Sequence, residues 1–168
     1  KQLFIQPTAI LVKTCQDQRI DQEAITALWL LKTIFFGLKN SKFRKEIAAV
    51  IVEQRIPDIL HCIISISGNN ELAIDHVTLA LGRMYTVIQS DSLPILPNTI
   101  TALMQCFSIT QSASVINCLA LMIDALSSYS IAFDSLKKYC APLLVQAMGF
   151  TTLETNDLII NCADCTYY

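Results

Sequence analysis

Two cysteines three residues apart, Cys162 and Cys165, have the spacing used by thiol–disulfide couples and by half-sites for zinc. A zinc site of this kind needs a second pair of ligands, and the neighbouring sequence supplies none. On a helix, residues three apart share a face, so both side chains are expected to pack as small apolar core residues. We therefore predict that the protein binds no metal and uses no cofactor.

The other residues that could take part in catalysis are two histidines, His61 and His76, which fall in different helical segments. His61 is followed by Cys62, but adjacent residues on a helix point about 100° apart, so they do not form a nucleophile–base pair. The sequence contains no glycine-rich phosphate loop, nucleophile elbow or paired-carboxylate motif. These observations predict that the protein is not an enzyme.

Composition and charge indicate whether the partner is a nucleic acid, a membrane or another protein. The chain has 168 residues, of which 53% are hydrophobic and 15% charged, and its net charge is −2. The longest apolar stretch, residues 24–38, is too short for a bilayer, which takes roughly 20 residues. Four of the twelve basic residues form one short cluster, expected to be a solvated turn and helix start: Lys39, Lys42, Arg44 and Lys45. We predict no direct nucleic-acid binding, no membrane span, and a protein partner or larger complex that covers part of the apolar surface.

The cysteines indicate the compartment. Their number is odd and they are scattered through apolar helical stretches, at positions 15, 62, 106, 118, 140, 162 and 165. Buried thiols of a reduced protein have this distribution. We expect all seven to be unpaired and the protein to reside in a reducing compartment, the cytoplasm or the nucleus.

Apolar residues recur at helical spacing through almost the whole chain, and no run alternates with the period of two typical of a half-buried strand. In the segment 71–88 the polar side is narrow, with Asp75, Leu79 and Arg83 in line at intervals of four. Turn signals recur between segments of 10 to 18 residues, and no linker is long enough to separate domains. The sequence thus predicts a single all-α domain.

An internal repeat organises these helices. Similar amphipathic helices begin at Ile56, Asn98 and Ala141, so that Leu60, Leu103 and Val145 are expected to occupy equivalent buried positions. A further copy begins at Pro7, which we align with Pro57, 50 residues later, because proline suits the first turn of a helix. A longer helix follows each copy, at residues 22–38, 71–88, 113–126 and 154–165. A period near 42 is typical of armadillo and HEAT units.

The chain resembles the armadillo repeat family on this pattern. Residues 43–54, 56–66 and 71–88 are similar to the family's first, second and third helices, and Leu79-Ala80-Leu81-Gly82-Arg83-Met84 is close to its Trp-Ala-Leu-x-Asn-Ile phrase. The resemblance implies a right-handed α-solenoid of about four repeats, approximately 1–39, 40–89, 90–127 and 128–168. It also implies that the chain 1–168 is a piece of a longer solenoid, with third helices lining a concave groove.

The candidate binding residues follow from the third helices, and they are Trp29, Thr33, Asp75, Leu79, Arg83, Ala120 and Asp124. In the importin-alpha branch of the family, a Trp and an Asn four residues later recur on these helices and hold a basic localisation signal. This chain pairs Trp29 with Thr33, Leu79 with Arg83, and Ala120 with Asp124, so it retains one Trp and no Asn.

Three functions remain open. The protein could be a scaffold that binds a peptide or a partner helix in the groove. It could instead be a structural subunit buried permanently in a large assembly, or a nuclear transport adaptor like importin-alpha. For Trp29 itself, a binding anchor in the groove and a core residue between repeats are both open readings.

Overall fold

The computed structural model describes residues 2–130, 134 and 136–138, and within them it contains helices and no strand. This confirms the all-α prediction. The long segments 22–38, 71–88 and 113–126 have the predicted bounds. The helices are α1 (Gln2–Asp17), α2 (Gln22–Leu38), α3 (Arg44–Glu53), α4 (Ile56–Ile66), α5 (Glu71–Ile88), α6 (Leu96–Thr110) and α7 (Ala113–Leu126), with a 3-10 segment (Gln89–Ile95) before α6.

Each long helix begins at a polar side chain that caps its free backbone N–H groups. Asp21 accepts a hydrogen bond from the Ala24 amide, Asn70 accepts one from the Ala73 amide, and Ser112 caps α7 in the same way. Such caps contribute about 1 kcal/mol each. The three caps lie 49 and 42 residues apart, and they define the register of the repeat.

The helices pack in two rows. In one row α1 contacts α4, and α4 contacts α6; in the other α2 contacts α5, and α5 contacts α7. Within each unit the two rows meet, as α1 meets α2 and α4 meets α5, while α3 packs against both α4 and α5. The core therefore lies between the rows, and α5 is covered on both flanks by its neighbours α2 and α7.

The same four positions are buried in each long helix, and they follow the caps. In α5 these positions are Ala73, Val77, Ala80 and Met84; their counterparts 49 residues earlier and 42 residues later are also buried. Their exposed fractions are at most 2%. Packing between the rows thus repeats with the spacing of the caps. In the other row, Leu60 and Leu103 are fully buried as predicted, whereas Val145 lies outside the described residues.

Two sequence alignments were wrong by small amounts. Pro7 lies inside α1, whereas Pro57, with which it was aligned, lies in the first turn of α4. Helix α6 begins at Leu96 instead of Asn98, with Pro97 in its first turn. Proline suits the first turn of a helix, so Pro97 marks the start of α6 two residues earlier than the apolar pattern did.

Helices α5 and α7 approach each other closely at Gly82. A Cβ atom at this position would lie 2.9 Å from Leu121 Cδ1 and 3.3 Å from the Cys118 Cα atom. Glycine therefore allows the two long helices to touch along their C-terminal halves. A cleft lies beside the N-terminal ends of the two helices.

Candidate partner-binding face

The seven predicted groove residues all lie on the row formed by α2, α5 and α7. Trp29 and Thr33 are exposed on α2, Ala120 and Asp124 are exposed on α7, and the three residues of α5 are half-buried. Between Ala73 and Ile88 the half-buried positions of α5 are Asp75, His76, Leu79 and Arg83. We call the accessible side of this row the open face.

The intervals between the caps, which we call the structural register, change which residues of α2, α5 and α7 are equivalent. With intervals of 49 and 42, Trp29 corresponds to Thr78 and Ala120, and not to Leu79 as the sequence alignment predicted. Thr33 likewise corresponds to Gly82 and Asp124. Thr78 and Gly82 are buried, so the ladder of equivalent positions is interrupted at the middle helix. Neither register places an asparagine at the second position of a pair.

Trp29 borders a cleft between α2 and the N-terminal half of α5, which we call the Trp29 cleft. Half of its side chain is accessible (51%), and Leu72 across the cleft is equally accessible (50%). The cleft encloses about 230 Å³ and is lined by Gln22, Ile25, Thr26, Trp29, Leu72 and His76. This placement indicates a surface residue and argues against the alternative in which Trp29 packs as core between repeats.

Polar side chains connect the three helices across the open face. The Lys32 Nζ atom of α2 lies 3.1 Å from His76 Nδ1 of α5, and this Nδ1 lies 3.2 Å from Asp75 Oδ2. The hydroxyl of Ser114 on α7 donates to Asp75 Oδ1 at 3.0 Å. Nδ1 either accepts from the Lys32 ammonium or carries a proton and donates to Asp75, so the two contacts alternate. The network orients the Asp75 carboxylate.

The Arg83 side chain is held by two contacts with α2. Its Nη1 donates to the Lys32 carbonyl oxygen at 3.2 Å, and its guanidinium lies 4.8 Å from the centre of the Phe36 ring. Both contacts join α5 to α2. Arg83 therefore helps to hold two neighbouring helices together, and Phe36, which is 65% exposed, is a member of the open face that sequence reasoning missed.

A second cleft lies between the N-terminal ends of α5 and α7, and we call it the Asp75 cleft. It encloses about 530 Å³ and is lined by Asn69, Glu71, Ile74, Asp75, Ile109, Thr110, Gln111, Ser112, Ala113 and Ser114. Glu71 and Asp75 are its charged residues, and no lysine or arginine lines it. Only Asp75 of this group was predicted. Glu71 could have been found from its position four residues earlier on the same helix.

The other histidine, His61 of α4, is half-buried and belongs to a cluster with two buried polar side chains. His61 Nε2 lies 2.7 Å from the Thr99 hydroxyl oxygen, which also accepts a hydrogen bond from the Tyr85 hydroxyl at 2.8 Å. Burial lowers the pKa of His61 below 6.5, and Asp58 partly opposes this effect. Burial likewise raises the pKa of the Tyr85 phenol. The cluster joins α4, α5 and α6 with groups held neutral.

Two of the described cysteines, Cys15 and Cys106, have raised pKa values. Burial, together with contact with Cys62, raises the pKa of Cys15 to about 12, and burial raises the pKa of Cys106. A thiol with a raised pKa is a poor nucleophile, because the thiolate is the reactive form. The Cys162 and Cys165 pair lies outside the described residues.

Among the described residues, no group of three or more His, Cys, Asp or Glu side chains could hold a metal ion. No helix within the same residues is long and apolar enough to cross a membrane. Comparison of the chain with protein-family models, with curated proteins and with solved structures finds no match.

Proposed function

We propose that this protein is a non-catalytic interaction scaffold that binds a peptide or a partner helix on the open face. The observation that carries the proposal is the exposed Trp29 beside a cleft between two packed helices. Tryptophan is among the residues that contribute most to binding energy when a partner covers them. Phe36 and Leu72 add further accessible apolar surface to the same face.

The proposal includes the architecture in which this face would be concave. Two rows of helices, with caps and buried positions that repeat after 49 and 42 residues, support a right-handed α-solenoid of about four armadillo-like repeats. Repeats of this kind leave an elongated surface along one row. The fourth proposed repeat, 128–168, lies largely outside the described residues. We also propose a reducing compartment, cytoplasmic or nuclear.

A displayed library of random peptides tests the proposal on the full chain. We expect selected peptides to bind the wild type and to lose at least tenfold in affinity for Trp29→Ala, since truncation of an interface tryptophan often costs 2 kcal/mol or more. Leu3→Ala is the matched control, because Leu3 is an exposed apolar residue on α1 in the other row. Equal loss for both variants, or no dependence on Trp29, would contradict a binding site on the open face.

A second function, a structural subunit of a larger assembly, has its own support. Exposed apolar side chains also occur away from the open face, at Leu3, Ile5 and Val12 of α1 and at Val52 of α3. Surface of this kind is typical of a permanent interface. Light scattering of the purified chain separates the two functions: a scaffold stays monomeric at micromolar concentration, whereas an obligate subunit associates or precipitates without its neighbour.

The third function, a transport adaptor like importin-alpha, has less support. The Asn of that branch is missing at Thr33, Asp124 and the intervening position, which is Arg83 in the sequence alignment and Gly82 in the structural register. A basic localisation peptide that binds with Trp29→Ala sensitivity would nevertheless favour this adaptor role over a general scaffold.

A further inference from the structure

The two clefts of the open face differ in chemistry although they adjoin the same helix. Leu72 and His76 line the Trp29 cleft, whereas Glu71 and Asp75 line the Asp75 cleft. The first cleft presents an indole and a leucine side chain to a partner. The second presents two carboxylates, and no lysine or arginine lines it. An apolar group therefore complements the Trp29 cleft, and a positively charged group complements the Asp75 cleft.

The Asp75 cleft also has an apolar wall. Ile109 at the end of α6 lines it and is 69% exposed, while the Asp75 side chain is 49% exposed and held in place by Ser114. Lysine and arginine have long aliphatic stems that cover apolar surface while the charged end stays among polar groups. A stem on Ile109 would place its cationic end beside Glu71 and Asp75.

The spacing between the clefts follows from the helix packing. One cleft lies between α2 and α5 and the other between α5 and α7, so they are separated by about one interhelical distance, roughly 8–10 Å. An extended chain rises about 3.3 Å per residue, so roughly two or three residues span this distance. A single extended segment can thus enter both clefts.

From these observations we infer that the open face recognises an extended peptide segment with an apolar residue and a lysine or arginine two or three positions apart. The apolar side chain enters the Trp29 cleft, and the basic side chain enters the Asp75 cleft. This inference rests on the proposed function, because it names the chemical class of ligand for the same face.

The test uses peptides selected on the full chain with Trp29→Ala as the counter-selection. We expect the enriched sequences to share an apolar and a basic residue at this spacing. Synthetic peptides without tryptophan are then titrated while Trp29 emission is recorded, since Trp29 is the single tryptophan of the chain. Replacement of the basic residue by glutamine should weaken binding to the wild type about two- to fivefold, the range for an exposed ion pair.

The protein variants separate charge recognition from folding. The double variant Glu71→Gln with Asp75→Asn keeps an oxygen acceptor for Ser114 and removes both charges. This variant should bind the basic peptide and its glutamine version equally. Glu23→Gln, an exposed glutamate in the first turn of α2, is the matched control and should behave like the wild type. Circular dichroism checks that each variant is folded.

The results of these titrations separate a failure of this inference from a failure of the proposed function. Peptides that depend on Trp29 but lack a basic residue, or that bind the double variant as well as the wild type, would overturn this inference and leave the proposed function standing. Basic peptides that bind equally well when the basic residue is moved six positions away would also overturn it. If no selected peptide depends on Trp29, the proposed function fails and this inference fails with it.

Discussion

The two histidines of the described region belong to polar clusters that each join three helices, yet the clusters differ in almost every other respect. His61, Thr99 and Tyr85 form a neutral cluster inside the protein. His76, with Lys32 and Asp75, forms a charged network at the surface. Both histidines are half-buried, so the clusters differ in the groups beside the imidazole: buried hydroxyls of Thr99 and Tyr85 accompany His61, whereas the charged side chains of Lys32 and Asp75 accompany His76. A neutral buried cluster contributes to stability alone, whereas the half-exposed Asp75 carboxylate can also meet a ligand.

The largest expected effect on stability comes from the loss of core packing, which compares the inside of the protein with the open face. Leu60→Ala should lower the free energy of unfolding by about 2–5 kcal/mol, because Leu60 is a fully buried residue of α4. Leu79→Ala on the half-buried line of the open face should cost clearly less. Urea denaturation of both variants measures the difference. Similar costs would show that the open face is covered in the folded protein.

A smaller effect is expected inside the neutral cluster. Tyr85→Phe removes the hydrogen bond to Thr99 and should cost about 1–2 kcal/mol, since Tyr85 is fully buried. Ser114→Ala, which removes a hydrogen bond to Asp75 at the surface, is the matched change in the charged network and should cost less. Equal costs in thermal or urea unfolding would remove the distinction between the two clusters.

Arg83→Glu should cost about 1 kcal/mol or less. The substitution removes a half-buried hydrogen bond to the Lys32 carbonyl and the contact with the exposed Phe36 ring. The sequence placed Arg83 among the candidate binding residues, and these contacts give it a structural role as well. Arg83→Lys keeps the charge and serves as the control in thermal melts. A loss above 3 kcal/mol would place Arg83 among the residues of the core.

The smallest expected effect is a pH dependence from His61. Its folded-state pKa lies below 6.5, so the unfolded chain binds a proton more readily. The stability is fully present above about pH 6.5 and declines as the pH falls through the lowered folded-state pKa. His61→Gln should remove this part of the decline. Denaturation midpoints measured at pH 7.5 and 5.5 for both proteins check it, and an unchanged slope would count against a buried neutral His61.

Much of the fold was predictable because its determinants are local. The bounds of α2, α5 and α7 follow from apolar spacing and from caps that lie within three residues of the amides they bind. The register of the repeat was harder to predict. A shared proline at Pro7 and Pro57 suggested an interval of 50 residues, but Pro7 lies inside its helix whereas Pro57 lies in a first turn. The caps of α2 and α5 are 49 residues apart.

The sequence alone was sufficient to predict that the described part of the chain is helical, where α2, α5 and α7 begin and end, and that Leu60 and Leu103 are core residues. Local hydrogen bonds and hydrophobic spacing carry this information. Three contacts could not be predicted from the sequence: His61 meets Thr99, Ser114 orients Asp75, and Arg83 binds the Lys32 carbonyl of α2. These contacts join residues 38 to 51 positions apart, and such pairs meet only when packing within a row brings neighbouring helices together.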